Sequence, residues 1–165
     1  MLIEQVRVTG IDLPVEEIEI ESSAKEAVRQ ARLVLTPGKT GLPVEPGDPV
    51  TIHAGDDLML TGYVRDVMPS HDANSHRIDV TVASKTVDAT ETSIEHASGE
   101  VLNQPVDAVG REFDSLGIGI ETDGTLPVEP RVKAQPGETP FSALERVTRG
   151  RGVLIYDTPE GRLKL

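Results

Sequence analysis

The stretch from Pro49 to Ser84 most constrains the fold, because apolar and polar residues alternate there between short turn-forming segments. "PVTIH" and "LMLTGYVRDV" flank "AGDD", a four-residue connection rich in turn formers, and "RIDVTVAS" follows with Ile78, Val80 and Val82 on one face. A two-residue period is typical of strands with one buried face, and short turn-rich connections join antiparallel neighbours. We therefore predict a meander of at least three antiparallel strands.

Three further strands are predicted before the meander, in "EQVRVTG", "LPVEEIEIES" and "RLVLT". Ser23 and Glu26 match a capping box, which predicts a short helix between the second and third of them. Pro46-Gly47-Asp48-Pro49 predicts a turn, because proline fixes φ and glycine tolerates unusual dihedrals. Together with the meander, these strands predict a small antiparallel β-barrel or sandwich.

The pattern changes to helical spacing in the second half. "QPVDAVGREFDSLGI" predicts a helix whose apolar stripe is Val106, Val109, Phe113 and Leu116. A second helix is predicted with Thr139 as N-cap, Pro140 at the first position and Gly150 or Gly152 at its end. Its predicted stripe is Phe141, Leu144 and Val147.

A short strand in "GIGIET" and a strand, turn and strand in "VLIYDTPEGRLKL" complete the predicted elements. The fold class is therefore β-rich α+β, an N-terminal small antiparallel β-barrel followed by a small α+β domain. We place the barrel domain at residues 1–95. The α+β domain takes residues 96–165, with two short helices and a C-terminal hairpin.

The composition excludes several classes of site. The chain has no cysteine, which excludes disulfides, cysteine-ligated zinc, iron–sulfur clusters and thiol catalysis. Aromatic residues make up only 2% of the chain, so the core must consist of aliphatic side chains. No apolar stretch approaches the length of a membrane span, and no secretory signal opens the chain, so we expect no membrane insertion.

The charge of the chain is strongly acidic and unevenly placed. Residues 1–121 hold 9 Lys and Arg against 22 Asp and Glu, whereas residues 122–165 hold 7 against 6. An acidic surface lacks the basic footprint that binds nucleic acid through its phosphates. The excess favours solubility, or a surface that repels DNA if DNA lies nearby.

Two short stretches, "HAGDD" and "SHDANSH", place histidines beside carboxylates. They could coordinate a divalent ion, but turn formation explains the same residues, because Asp, Asn and Gly tolerate turn dihedrals and bond their own backbone. His71 and His76 would face each other across the second loop. We expect no metal and no cofactor, and assign both stretches as interaction loops, with the candidate residues Gly55, Asp56, Asp57, His71, Asp72 and Asn74.

The sequence contains none of the common catalytic motifs G-x-S-x-G, H-E-x-x-H and the P-loop. No serine lies in a G-x-S-x-G elbow, and neither H-E-x-x-H nor a P-loop occurs. Glu16, Glu17, Glu19 and Glu21 could pair for glycoside hydrolysis, but their alternation with apolar residues predicts a solvated strand face. We expect no enzymatic activity.

The order of these segments resembles the Mu-type phage baseplate hub proteins, which group with phage late-control hub proteins and the N-terminal part of type VI secretion spike proteins. The resembling segments are "PGDPVTIHAGDDLMLTGYVRDVMPSHDANSHRIDVTVASKTVDATETS" and "GETPFSALERVTRGRGVLIYDTPEGRLKL". Their order over more than 100 residues carries the resemblance, since no single motif is diagnostic. Ala83 stands where the family has glycine, which predicts a regular strand there rather than a bulge.

The resemblance implies a structural protein of the virion, located in the tail baseplate and assembled in the host cytoplasm. It implies a homotrimer that joins the sixfold tail tube to the threefold central spike of a contractile tail or tail-like particle. The implied partners are the tail tube protein, the central spike protein and other baseplate proteins. The resemblance also implies that genome DNA passes through the lumen of the assembled hub without specific binding. The acidic excess would then keep DNA from adhering to the wall of that lumen.

Two alternatives stay open. A tail-associated carbohydrate- or peptidoglycan-binding module is one, although such sites favour aromatic platforms and this chain has few aromatics. A metal-dependent hydrolase is the other, and it requires His53, Asp56 or Asp57 to converge with His71 or His76. Family members also continue past "GRLKL", where this chain stops, so we expect a shortened protein or one completed by another polypeptide.

Overall fold

The computed structural model describes residues 5–23, 27–38, 44–71 and 76–165. It is β-rich, with one six-stranded sheet that curls into a half-barrel, two smaller sheets and three short α-helices. The β-rich α+β class predicted from the sequence is confirmed. The short helix predicted from Ser23 and Glu26 begins on residues 24–26, which lie outside the described ranges. No described helix is both long and apolar enough to cross a bilayer.

The six-stranded sheet contains the predicted meander. Its strands, in chain order, are β1 Val6–Thr9, β2 Val15–Glu21, β3 Gln30–Leu35, β4 Pro49–Ala54, β5 Asp57–His71 and β6 His76–Ser84. They lie in the order β1-β4-β5-β6-β3-β2, and every neighbouring pair is antiparallel. The meander β4-β5-β6 is therefore confirmed, and β1 and β2 form the two edges.

Alternation places one face of this sheet in the core. Ile78, Val80 and Val82 on β6 are buried, as their two-residue spacing predicted. They pack in one cluster with aliphatic side chains from the other strands, among them Leu33, Leu35, Val50, Ile52, Leu60 and Val64. The absence of aromatic residues from this cluster agrees with the composition.

A short connection forces the sheet to curl. Thr9 ends one edge strand and Val15 begins the other, so six residue steps span the whole sheet. Fully extended, six steps reach about 21 Å, whereas a flat sheet of six strands separates its edges by about 24 Å. The connection also turns at Gly10, whose φ is 101°. A flat sheet is therefore excluded, and β1 and β2 must approach each other.

The second half contains helices and short strands. Its elements are α1 Val87–Glu91, β7 Glu100–Pro105, α2 Val106–Phe113, β8 Ile120–Glu121, β9 Val128–Lys133, α3 Pro140–Thr148, β10 Tyr156–Asp157 and β11 Leu163–Lys164. β7 pairs with β9, and β11 lies between β10 and β8. The antiparallel pair β10 and β11 confirms the predicted C-terminal hairpin. The residue patterns of the chain did not predict α1, β7 or β9.

Helix α2 is shorter than predicted. Val106, Val109 and Phe113 are buried, but Leu116 lies beyond the helix and is 55% exposed. The helix ends because the Asp114 carboxylate accepts the backbone N–H groups of Ile118 and Gly119, at 2.9 and 2.8 Å. An aspartate that binds the following backbone competes with helix continuation. The assignment of Leu116 to the buried stripe was therefore wrong.

The signals at both ends of α3 are confirmed. Thr139 Oγ1 accepts the backbone N–H of Ser142 at 3.2 Å, and Pro140 follows at the first helical position. After a single 3₁₀ turn at Arg149–Arg151, Gly152 adopts the left-handed conformation that ends the helix. Leu144 is fully buried, while Phe141 and Val147 of the predicted stripe are half-buried.

The contacts of the chain divide it into two compact units. The first takes its described residues from Met1–Ser22, Arg29–Ser84 and Pro159–Gly161, and the second from Ser23–Val28, Lys85–Thr158 and Arg162–Leu165. The domain boundary after residue 95 stays a prediction.

Glu138 stabilises the loop before α3 through its hydrogen bonds. Its carboxylate accepts two hydrogen bonds from the Arg146 guanidinium and one from the Gln135 N–H, each 2.9 Å long. Its side chain is only 9% exposed. Burial acts to raise the pKa of Glu138, but the hydrogen bonds from Arg146 and Gln135 outweigh it, so the pKa lies below its usual value.

We therefore expect Glu138→Gln to lower the free energy of unfolding by about 1–3 kcal/mol at neutral pH. A lowered folded-state pKa gives stability above the ordinary Glu pKa of about 4.3 that is lost as the pH falls through the folded value. The difference between the two proteins should thus shrink in acid. Urea denaturation between neutral pH and pH 3 measures both effects.

Glu145→Gln is the matched control. Glu145 also pairs with an arginine, Arg149, at 2.8 Å, but both side chains are exposed and the pair lies on one helix. Exposed pairs of this kind contribute about 0.3–0.5 kcal/mol. Equal losses in the two variants would contradict the role given to Glu138.

Candidate interaction surface

The two loops predicted as contact sites lie at opposite ends of the longest strand. β5 runs for 15 residues, from Asp57 beside the first loop to His71 beside the second. At about 3.3 Å per residue its ends are about 46 Å apart along the strand. The structure therefore does not bring His53, Asp56 or Asp57 together with His71 or His76, and the metal-hydrolase alternative loses the convergence that it requires.

The first loop is a tight turn of two residues rather than four. Ala54 pairs with Asp57, so the predicted four-residue connection shrinks to Gly55 and Asp56. Gly55 has a φ of 61°, which a glycine adopts without strain, and Asp56 does not share the positive sign. This order of φ signs is that of a type II′ turn, whose twist matches the flanking strands.

The second loop is described only at its ends. His71 and His76 are register partners at the end of the β5–β6 ladder, so their backbones face each other as predicted. Asp72 and Asn74 lie outside the described residues. Within the described ranges, no three His, Asp or Glu side chains come together in a way that could hold a metal ion. A contact role for Gly55, Asp56, Asp57, His71, Asp72 and Asn74 stays a prediction.

Edge strand β1 presents backbone groups that pair with no other strand in the described part of the chain. Gly55 donates its N–H to the Gln5 carbonyl at 3.0 Å, and the register continues from Val6 opposite Ala54 to Thr9 opposite Thr51. Backbone groups of successive residues point to opposite sides of a strand. Gln5, Arg7 and Thr9 therefore face β4, while the N–H and C=O of Val6 and Val8 point outward, where the described residues supply no ladder partner.

A groove runs beside this edge, and we call it the β1 groove. Its volume is about 530 Å³, and its lining residues are Gln5, Val6, Arg7, Val8, Leu13, Val15, Gly55 and Asp56. It therefore lies between β1 and the start of β2, where curling brings the two edges of the sheet towards each other. Gly55 and Asp56, two of the predicted contact residues, belong to it.

The opposite edge strand, β2, is strongly acidic. Glu16, Glu17, Glu19 and Glu21 are all exposed, which confirms the solvated strand face predicted for them. On the neighbouring strands, Arg32 Nη2 lies 2.7 Å from the Asp79 carboxylate. The hydrogen bond that the Arg32 guanidinium donates to Asp79 raises the pKa of Arg32, helped by the nearby Asp79, Glu17 and Glu19 charges. This edge repels acidic partners and blunts strand pairing.

The β1 groove was not predicted from the sequence, since a groove between two sheet edges depends on strand order. One local signal could have indicated it. The connection from Thr9 to Val15 is too short for strands at opposite edges of a flat sheet, and it becomes informative once β1 and β2 are known to be edges.

The comparisons with known proteins agree with this architecture. Residues 6–84 match the family model for the N-terminal part of the Mu phage baseplate assembly protein GpP-like proteins. Residues 80–165 match the model for the second domain of baseplate hub protein gp44-like proteins, which is more than half of the chain. The chain belongs to the Mu-type baseplate hub protein family. The resemblance noted in the sequence is thus confirmed, and the two family domains meet near Ser84, where β6 ends.

Comparisons with individual proteins agree with this assignment. The chain is 27% identical to baseplate hub protein gp44 of Escherichia phage Mu in an alignment that covers 77% of its length. Its fold matches the 43 kDa tail protein of prophage MuSo2 from Shewanella oneidensis over 96% of the chain, with a TM-score of 0.79 and 26% identity. A tail protein from Neisseria meningitidis, at 16% identity and a TM-score of 0.77 over the same share of the chain, shares the fold.

The chain spans only part of these relatives. It covers 35% of the phage Mu hub protein, 52% of the Shewanella protein and 49% of the Neisseria protein.

Proposed function

We propose that this protein is a structural component of a phage tail baseplate hub, in a contractile tail or a tail-like particle. The observation that carries the proposal is the match of both halves of the chain to consecutive domains of the hub family. In this role, three copies join the sixfold tail tube to the threefold central spike. The partners are the tail tube protein, the central spike protein and other baseplate proteins, and the location is the virion.

The half-barrel suits assembly. Its sheet has two edges, and neither has a second ladder partner within the described part of the chain. An edge with free backbone groups can continue its sheet into a neighbouring chain. The Asp114 and Glu138 carboxylates serve local structure through their hydrogen bonds to backbone N–H groups, and we propose no catalytic function.

The oligomeric state tests the proposal. We expect light scattering of the purified chain to give a mass three times that of the 17.7 kDa monomer as its concentration is raised. A mixture with the tail tube protein of the same particle should give a larger complex of fixed stoichiometry. A mass of 17.7 kDa at every concentration, with no complex in the mixture, would contradict the hub role.

The acidic excess leads to a second expectation. If the exposed carboxylates of β2 keep this surface from binding DNA, replacing Glu17, Glu19 and Glu21 by lysine should produce a chain that binds DNA where the unmodified chain does not. Each new phosphate contact makes the affinity fall steeply with salt. Electrophoretic shifts with duplex DNA at low and high salt measure this change, and binding by the unmodified chain would contradict the non-sticking surface.

A further inference from the structure

We propose that the bond between Asp123 and Gly124 is a site of spontaneous backbone isomerisation, at which the folded chain converts Asp123 to isoaspartate. The site lies between β8 and β9, within the second unit, and the inference does not depend on the proposed hub function. Asp123 is the one aspartate of the chain that a glycine follows. Glycine has no Cβ, so its backbone nitrogen can approach the preceding carboxyl group without steric hindrance.

The reaction releases one water molecule and then takes one up. The Gly124 nitrogen attacks Cγ of the protonated Asp123 carboxyl group, a new N–Cγ bond forms, and the nitrogen proton leaves with the carboxyl hydroxyl as water. The product is a five-membered succinimide ring. Water from the solvent then opens the ring at one of its two carbonyl groups. Cleavage of the N–Cγ bond restores aspartate, whereas cleavage of the original peptide bond leaves the chain linked through the side-chain carbonyl, with a carboxylate on Cα.

The surroundings of Asp123 leave room for this ring. The Asp123 side chain is 79% exposed, and a Cβ on Gly124 would meet no atom within 4 Å. The Gly124 N–H donates to Thr122 Oγ1 at 3.3 Å, which is long for a hydrogen bond. The Asp123 carboxylate lies 2.7 Å from Lys164 Nζ, and an ion pair that is open to solvent on one side is weak. Both contacts can therefore break while the chain stays folded.

Asp114 shows how the fold can prevent the same reaction. A small residue, Ser115, follows it. Its two carboxylate oxygens accept the backbone N–H groups of Ile118 at 2.9 Å and Gly119 at 2.8 Å. Hydrogen bonds to an ionised acceptor are strong, and both must break before Cγ can turn towards the Ser115 nitrogen. The fold therefore protects Asp114 and leaves Asp123 reactive.

Isomerisation would change the contact between the end of β8 and β11. Lys164 on β11 is the register partner of Glu121 on β8, so the ion pair of Lys164 with Asp123 joins the residues after β8 to β11. In isoaspartate the main chain is one atom longer, and the carboxylate lies one carbon closer to the main chain. Its reach towards Lys164 Nζ is therefore shorter, and the ion pair weakens.

Peptide mapping of the aged protein tests the proposal. The purified chain is incubated at neutral pH and physiological temperature, once folded and once in concentrated guanidinium chloride, and is then digested with trypsin. One tryptic fragment, residues 112–131, carries both Asp114 and Asp123. Its isomers separate by chromatography, and electron-transfer fragmentation assigns the isoaspartate to its position. We expect folding to slow isomerisation at Asp123 by less than about threefold, and at Asp114 by at least about tenfold.

Two variants separate the proposed reaction from other damage. Gly124→Ala adds a methyl group that meets no atom within 4 Å in the fold but hinders the attacking nitrogen. It should slow isomerisation at Asp123 by at least about threefold. Asp123→Glu keeps the charge but would have to close a six-membered ring, so no isomer should form at this position. An unchanged denaturation midpoint verifies that each variant folds as the unmodified chain does.

Three results would overturn the inference. The first is a folded chain that forms no isoaspartate at Asp123, and the second is an equal rate at Asp123 in the unmodified chain and in Gly124→Ala. The third is isomerisation of the folded chain at Asp114 as fast as at Asp123, which would contradict protection by the Ile118 and Gly119 hydrogen bonds. These results are separable from the oligomeric state, because the mapping compares two positions in one fragment of the same chain.

Discussion

Replacing Gly62 by alanine is expected to lower the free energy of unfolding by about 3 kcal/mol or more, because β5 and β6 touch at this residue. A Cβ added to Gly62 would lie 1.8 Å from the carbonyl oxygen of Ala83 and 2.8 Å from the Cα of Ser84. Both atoms belong to the backbone of β6, which cannot rotate away as a side chain could. The two strands would have to separate.

The position of β6 makes this separation costly. β6 lies between β5 and β3 in the sheet, and Val80 and Val82 on it are fully buried. Moving it disturbs ladders on both sides and opens the core. Gly62 is also the glycine of "LTGYV", part of a segment that resembled the hub family, and the close approach of β6 explains why a glycine stands there.

Gly124→Ala is the control that separates the steric clash at Gly62 from the effect of replacing any glycine by alanine. Neither glycine has a positive φ, and a Cβ on Gly124 would meet no atom within 4 Å. We expect Gly124→Ala to change stability by less than about 0.5 kcal/mol. Denaturant titration of both variants and the unmodified chain measures the difference. A loss below about 1 kcal/mol in Gly62→Ala would show that β5 and β6 can separate cheaply, against the packing argument.

The meander could be predicted because its signal is local. Ile78, Val80 and Val82 alternate with polar residues, and burying one strand face requires that period whatever surrounds it. The β7 and β9 strands lack such a signal. In each, a single inward residue is fully covered, Val101 and Val132, which are register partners. Because each strand buries only one apolar residue, its sequence shows no alternation of apolar and polar residues from which a strand could be predicted.

The candidate site was harder to predict than the fold. Gly55 and Asp56 could be assigned to a turn from their own conformational preferences. That this turn opens onto a groove depends on the β1–β4 pairing, which joins residues about 45 positions apart. Strand order is a property of the whole sheet, so the position of β1 at its edge cannot be deduced from the residues next to it in the chain.

Replacing Phe113 by alanine is expected to lower the free energy of unfolding by about 3–5 kcal/mol, the cost of emptying a large site in a packed core. Phe113 is fully buried at the end of α2, and Val101, Val109, Val132 and Ala143 form the rest of its cluster. The His96 ring meets it edge to face, with the ring centroids 5.7 Å apart. The chain has only two phenylalanines, and no larger side chain is fully buried among the described residues.

Leu116→Ala is the control that tests whether α2 continues to Leu116, as helical spacing predicts, or ends at Phe113, as in the structure. Helical spacing placed Leu116 on the same buried stripe as Phe113, whereas the Asp114 hydrogen bonds end the helix first and leave Leu116 55% exposed. If α2 ends at Phe113, Leu116→Ala should lower the free energy of unfolding by less than about 0.5 kcal/mol. A loss of about 2 kcal/mol or more would mean that the helix continues and buries Leu116, as deletion of a buried leucine requires.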